Sequence, residues 1–290
     1  MCMGYTLHIG NRAYSSWSLR GWLLFERFGL QVTTRNVEFK SGPVGQQLAA
    51  YAPAATVPTL ITPEGTVVWD SLAIAEELAT RHPRAGHWPV DPARRATARA
   101  LTAEMHSGFS TLRTVCPMNL RVAHKGTAMT DALRADLDRL EVIFAHAQRV
   151  VGEPAQWLCG EYSVADAFYA PVAARIAGYG LPVGPVTTAY VASHLAEPAF
   201  RRWRAMGLVR GETLNRYAQN LPTTDWPGPE PLRAEAVDTG TPENATCPYS
   251  GDPVTHLARI DGRVFGFCNA FCRDKTVADP LAWPKFAALL

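Results

Sequence analysis

The chain has 290 residues, 47% of them hydrophobic, enough for one large or two ordinary domains with buried cores. Lys and Arg number 28 against 26 Asp and Glu, a formal charge of +2, and the positive charges are scattered, which argues against the basic stripe of a nucleic-acid binder. No apolar run is long enough to span a bilayer and no basic-then-apolar leader opens the chain, so a soluble cytoplasmic protein without membrane partners is expected.

Six cysteines fall into two sets: Cys2, Cys116 and Cys159 are isolated, while Cys247, Cys268 and Cys272 are grouped near the far end. A secreted disulfide framework is not laid out this way, and a reducing compartment fits better.

The first predicted element is a strand over Tyr5 to Ile9, followed by a polar turn with Asn11, Ser15 and Ser16 and a largely apolar helix from Trp17 to Phe28. A helix N-terminus carries partial positive charge and unpaired N–H groups, so an anion such as a thiolate is stabilised beside Ser15 and Ser16. Gly29 caps the helix, and Val32 to Val37 returns as a second strand, a β-α-β unit that implies parallel pairing. Pro43 to Tyr51 reads as a short helix. Ala55 to Thr62 and Val67 to Trp69 read as a hairpin turning at Pro63 to Thr66, and Asp70-Ser71 opens a helix with Ser71 at the N-cap. The order β-α-β-α-β-β-α is that of an α/β thioredoxin-like domain, over residues 1–84.

Three prolines and a glycine between Pro83 and Pro92 mark a linker. An all-helical domain over 91–221 is expected beyond it, with one long helix from Ala93 to Val115 and another from Met129 to Val151. Ser163 and Asp166 are spaced as a capping box for a helix through Ile176, so Asp166 is read as structural. Residues 222–246 carry many prolines and no periodicity and read as a linker. The small Cys-containing ββα tail, 247–290, holds Cys247, a hairpin turning at Asp261-Gly262, and a helix beginning Cys268-Asn-Ala-Phe-Cys272, which sets two thiols on one face. Three thiolates suit zinc or Cu(I), with His256 or Asp252 as the local candidates for a fourth ligand; buried reduced thiols packing a small core are the other reading.

Tyr-Ser-Ser-Trp-Ser-Leu-Arg, the Val57-Pro58 pair before a strand and Asp70-Ser71 at a helix start together resemble the glutathione transferases. The match at Ser15, Ser16, Ser18 and Arg20 is to the serine-using, zeta-like branch. The resemblance implies an all-α second domain, glutathione as co-substrate, a small electrophilic substrate and a homodimer. It implies thiolate activation by Ser15, or next by Ser16, with Tyr14 a distant third donor. It implies a cis Pro58, with the Val57 backbone holding the cysteinyl part of glutathione and Asp70 and Ser71 its γ-glutamyl end. Lys40 is a candidate for the glycyl carboxylate. No cysteine stands at the helix start, which argues against disulfide exchange there. Phe109, Leu112, Arg113, Met118 and Arg121 are candidates for the electrophile pocket, and Pro117-Met-Asn-Leu-Arg121 resembles a segment of a bacterial branch of the family. The expected activity is glutathione conjugation, isomerisation or dehalogenation; a non-catalytic glutathione-binding or metal-responsive interaction protein is the alternative. The tail resembles YHS-type or TRASH-type metal-binding modules, in which a cysteine precedes a hairpin and a Phe-Cys-containing helix follows; Ser250 stands where some of them have cysteine.

Overall fold

β1 (Tyr5–Ile9) lies at the centre of the first sheet, with Leu7 and Ile9 buried on one face, the alternation of a half-covered strand. In the computed structural model, which describes residues 4–290 and so leaves Cys2 outside the described residues, β1 leads into α1 (Ser16–Glu26) and β2 (Val32–Asn36). α2 (Val44–Gln47) and a 3-10 turn follow, then β3 (Thr59–Ile61), β4 (Val67–Trp69) and α3 (Ser71–Arg81). The sheet order is β2-β1-β3-β4, with β1 parallel to β2 and antiparallel to β3, and β3 antiparallel to β4. This is the mixed sheet of a thioredoxin-like domain. Leu19, Leu23, Leu24 and Phe25 of α1 have no exposed surface, because α1 packs against both α3 and the later helix α7 (Val164–Gly178).

A largely helical layer follows, with α4 (Pro92–Ser107), α5 (Ser110–Val115), α6 (Asp131–Val151), α7 and α8 (Pro185–Ala196), and with β5 (Ala123–His124) paired to β6 (Thr223–Thr224). α4 starts at Pro92 behind an Asp91 cap, and α6 starts behind Thr130. The single long helix expected from Ala93 to Val115 is two. Gly108 is extended and Phe109 takes a left-handed conformation with φ of 55°. The restart is stabilised across the layer, because the Asp136 carboxylate of α6 accepts the Leu112 N–H at 2.8 Å, satisfying one of the open donors of the first turn of α5. Asp70, not Ser71, is the N-cap of α3, accepting the Leu72 N–H at 2.7 Å. The Ser163–Asp166 capping box of α7 is formed as expected.

The chain forms two compact units. The elements above, save the last two residues of α8, belong to the first, which runs to His194 and takes in Thr213–Pro227; the second joins Leu195–Glu212 to Gly228–Leu290. In the second, α9 (Pro198–Val209) packs on α10 (Ala270–Ala278), and Arg201 makes a bidentate ion pair with Asp279 at 2.6 and 2.8 Å. Its sheet has the order β7-β8-β9, from β7 (Ala234–Val237), β8 (His256–Ile260) and β9 (Arg263–Phe267), and α11 (Pro284–Ala287) follows α10. β7 lies inside the stretch read as linker; with only four residues it presents no countable alternation and is held by pairing to β8. At the β8–β9 turn Asp261 and Gly262 both have positive φ, as a type I′ turn requires.

Candidate active site

The turn ahead of α1 is built by Asn11, whose side chain accepts the Ala13 N–H and whose carbonyl accepts the Ser15 N–H at 2.8 Å. Ser15 is thereby placed at the N-cap, where its Oγ accepts the Ser18 N–H at 3.3 Å and donates to Ser18 Oγ at 2.8 Å. Ser18 Oγ in turn accepts the Gly10 N–H at 2.9 Å. A hydroxyl proton rotates to suit its partners. An anion in front of Ser15 would draw the Ser15 proton toward itself, with Ser18 turning to donate to Ser15.

In front of this turn lies a cavity of about 520 Å³ bordered by Ser15, Ser16, Trp17 and Val57 on the sheet side and by Ser110, Arg113, Met118 and Arg175 on the helical side. Tyr14 and Tyr217 form part of its wall, their ring centres 4.9 Å apart, and Phe39 adds a third aromatic face. The cavity is rimmed by no carboxylate among the described residues, while two guanidiniums reach it. Burial lowers Arg113 from its ordinary value. Burial, then the Arg113 charge, brings Arg175 to about 10. Arg20, fully buried on α1 between the faces of Trp17 and Phe168, is brought to about 9 by burial, then by the Arg175 and Arg113 charges. Arg113 and Arg175 border the cavity as guanidiniums, which stay charged at neutral pH, so its helical side is positive.

Residues 14–81 match the family model described as glutathione S-transferase, N-terminal domain. The fold is that of a glutathione transferase. A probable maleylacetoacetate isomerase of Caenorhabditis elegans is 34% identical over 109 residues, 38% of this chain and 50% of the relative, so the chain spans about half the length of the curated relative it matches. A glutathione transferase homologue from Burkholderia gl BGR1, solved with bound glutathione, superposes with a TM-score of 0.55 at 24% identity, covering 72% of this chain and 100% of that one. Glutathione transferase Omega 3C from Trametes versicolor superposes at 0.54 and 17% identity, covering 73% and 91%. At these identities the structural likeness speaks for the fold.

Within the first unit the residues singled out from sequence divide. Ser15, Ser16 and Val57 meet at the cavity, and the Val57–Pro58 bond is cis. Ser71 is buried with its hydroxyl unpartnered, and Asp70, besides capping α3, stands 3.3 Å from His106 Nε2; neither borders the cavity itself. Lys40 is exposed, and its neighbour Phe39 occupies the wall instead. Of the electrophile-pocket candidates, Arg113 and Met118 line the cavity. Phe109 and Leu112 do not: Phe109 turns its ring to Tyr169 and Leu112 faces the core, both consequences of the break between α4 and α5. Arg121 lies behind the wall, 5.8 Å from the Tyr14 ring centre, with Nη1 donating to Thr213. Arg175 and Tyr217 were not anticipated. A lone arginine in the otherwise apolar run of α7 is a legible signal for the first; Tyr217, on a 3-10 turn, has none.

In the second unit the sulfurs of Cys247, Cys268 and Cys272 lie within 4.8 Å of one another. Cys268 precedes the Asn269 cap of α10 instead of standing inside the helix, and Cys272 sits in its first turn. The expected fourth ligand is not there: His256 is outside the cluster, its Nδ1 2.9 Å from Thr255 Oγ1, because β8 carries it away on the strand. Asp252 also lies outside.

Proposed function

We propose that this protein is a glutathione transferase in which Ser15 holds the glutathione sulfur as a thiolate for attack on a small electrophile carrying an anionic group. The observation that carries the reading is the chain of hydroxyls from Gly10 N–H through Ser18 to Ser15, ending at a helix N-terminus on an open cavity. A free thiol titrates near ~8.5 and is mostly protonated at neutral pH; a hydroxyl donor and a helix N-terminus both favour its charged form. The Val57 backbone would hold the cysteinyl part of glutathione. Asp70 and the unpartnered Ser71 hydroxyl would take its γ-glutamyl end, and Lys40 offers only a solvent-side charge for the glycyl end. Ser16, with its hydroxyl on the same cavity, is the second donor.

Arg113 and Arg175, on a wall without carboxylates among the described residues, favour an electrophile that carries negative charge. The maleylacetoacetate isomerase among the relatives fits the same chemistry. In a cis–trans isomerisation the thiolate adds to a conjugated double bond, the resulting single bond rotates, and elimination returns the thiolate, so glutathione is not consumed. A cytoplasmic homodimer belongs to the same reading, to be checked as a two-chain mass by light scattering. A binding protein with a lapsed site is disfavoured, because Ser15, Ser16, Val57, Pro58, Asp70 and Ser71 are all retained.

The test is the ultraviolet thiolate absorbance of bound glutathione against pH. Titration at least about one unit below the free thiol in wild type, worth about 1.4 kcal/mol, and a return toward the free value in Ser15→Ala are expected. Loss of the shift in Ser16→Ala alone would reassign the donor, and binding with no shift in wild type would refute thiolate activation.

A further inference from the structure

Tyr217 reaches the cavity from far along the chain. Its segment, Thr213–Pro227, belongs to the first unit although the chain on both sides of it belongs to the second. The segment is fastened at each end. At the front, Arg121 Nη1 donates to Thr213 Oγ1 at 3.3 Å and Leu214 is buried against Ala13 and Tyr14. At the back, β6 pairs with β5, and the Lys125 N–H donates to the Pro222 carbonyl at 3.0 Å. Between these anchors the Tyr217 N–H donates to the Leu214 carbonyl at 2.9 Å, and the 3-10 turn so closed puts the Tyr217 side chain on the cavity wall.

The ring packs beside Tyr14, but the hydroxyl makes no hydrogen bond to the described residues. Arg175 stands near enough for the two groups to interact through charge. That arginine is only 5% exposed and is aimed by two backbone acceptors, Nε donating to the Cys116 carbonyl at 2.9 Å and Nη1 to the Pro171 carbonyl at 3.2 Å. Its Nη2 donors remain for a ligand in the cavity it lines. A fixed cation and a neutral O–H donor therefore border one space. The cation suits a charge the substrate already carries; the neutral donor suits one that forms during reaction.

Thiolate addition to a double bond conjugated with a carbonyl creates such a charge. The sulfur lone pair forms the C–S bond, and the π electrons move onto the carbonyl oxygen as an enolate. Elimination returns that pair, breaks the C–S bond and releases the thiolate, with no net proton transfer. A donor beside this oxygen is worth more in the transition state than in the ground state, which is the condition for raising kcat. Ser15 is occupied with the sulfur and cannot serve both atoms.

We propose that Tyr217 is a catalytic residue for electrophiles that are unsaturated oxo acids: with the substrate carboxylate on Arg175, its hydroxyl donates to the carbonyl oxygen on which negative charge develops. The assignment rests on glutathione thiolate attack from Ser15. It makes a residue of the Thr213–Pro227 segment part of the reacting constellation.

The experiment compares the full-length wild type with Tyr217→Phe, which keeps the ring against Tyr14 and removes only the hydroxyl. Two electrophiles are used: cis-4-oxo-2-pentenoate, and a short α-haloacid that has a carboxylate but puts its developing charge on the departing halide. With the oxo acid, kcat should fall ~10–100-fold, approaching the loss of an oxyanion donor, while its KM stays nearly unchanged. With the haloacid, kcat should hardly move, and the thiolate absorbance of bound glutathione should match wild type. Unchanged kcat with the oxo acid, equal losses with both electrophiles, or a loss in Tyr14→Phe in place of Tyr217→Phe would overturn the assignment. So would a wild type that forms the thiolate and turns over no oxo acid, an outcome that leaves thiolate activation standing. A wild type with no thiolate shift would refute thiolate activation, and with it the role given to Tyr217.

Discussion

Ser18 is wholly buried and does not border the cavity, yet it decides what Ser15 can offer. Its oxygen accepts the Gly10 N–H and the Ser15 hydroxyl; by turning to donate its own proton to Ser15 it would release the Ser15 proton for an anion. Ser18→Ala should therefore raise the pKa of bound glutathione part of the way that Ser15→Ala does, lower kcat, and leave the KM for glutathione nearly unchanged. Its stability cost, about 1–3 kcal/mol, is that of a buried N–H left unsatisfied. Ser18→Thr should restore the thiolate. A wild-type titration in Ser18→Ala would show the hydroxyl chain to be a helix cap and nothing more. The Ser-Ser-x-Ser spacing makes this trio legible in sequence, because one helical turn brings Ser15 and Ser18 together. The opposite wall is not legible in the same way: Arg113 and Met118 reach the cavity while Phe109, four residues before Arg113 and equally expected to line it, turns away, and only a left-handed residue that no propensity announces separates the two outcomes.

Among the elements, α1 is the one that both packs and presents chemistry, and Gly21 shows how closely the two are fitted. A Cβ there would lie 2.8 Å from the Cβ and Cγ of Pro58, so the absence of a side chain lets the segment that opens β3 rest on the helix. Gly21→Ala forces α1 and Val57–Pro58 apart. It should cost about 1–3 kcal/mol, the usual range for overpacking. Glutathione binding should weaken as well, because Val57 and Ser15 would no longer share one wall. Urea midpoints and calorimetric titration with glutathione check both parts; loss of stability with affinity unchanged would mean that Val57 takes no part in binding. Element identity was well expressed in the chain: β1, the β3–β4 hairpin, the α6 heptad-like run and the α7 capping box all follow from local period and caps. The breaks were not, because the α4–α5 interruption is fixed by Asp136 reaching from α6, and β7 exists only as a partner to β8.

At the scale of the whole molecule, stability of the first unit is tied to pH through a buried pair of groups around Tyr190. His194 is fully buried beside Trp157, Tyr162 and Tyr190, with Nε2 unpartnered, and burial, then the Arg27 charge, lowers it to about 3. Asp166 accepts from Tyr190 and from the Leu158 and Ser163 N–H groups, yet burial outweighs those bonds and raises it to about 6. The signs are opposite. Between about 6.5 and about 3 the unfolded chain binds a proton at His194 that the native state refuses, so acid destabilises the fold through His194. Between about 6 and 3.8 the native state keeps a proton on Asp166 that the unfolded chain gives up, so acid stabilises it through Asp166. The two slopes offset each other over much of that window, and the wild-type curve conceals both. His194→Phe, which keeps an aromatic ring among aromatic neighbours, removes one of them. Its stability relative to wild type should improve by about 1.4 kcal/mol for each pH unit below 6.5. Urea unfolding of both proteins at intervals from pH 7.5 to 5 measures the difference directly, with the other carboxylates cancelling. A difference independent of pH would mean that His194 finds solvent or a proton acceptor in the native state and is not buried as a neutral ring.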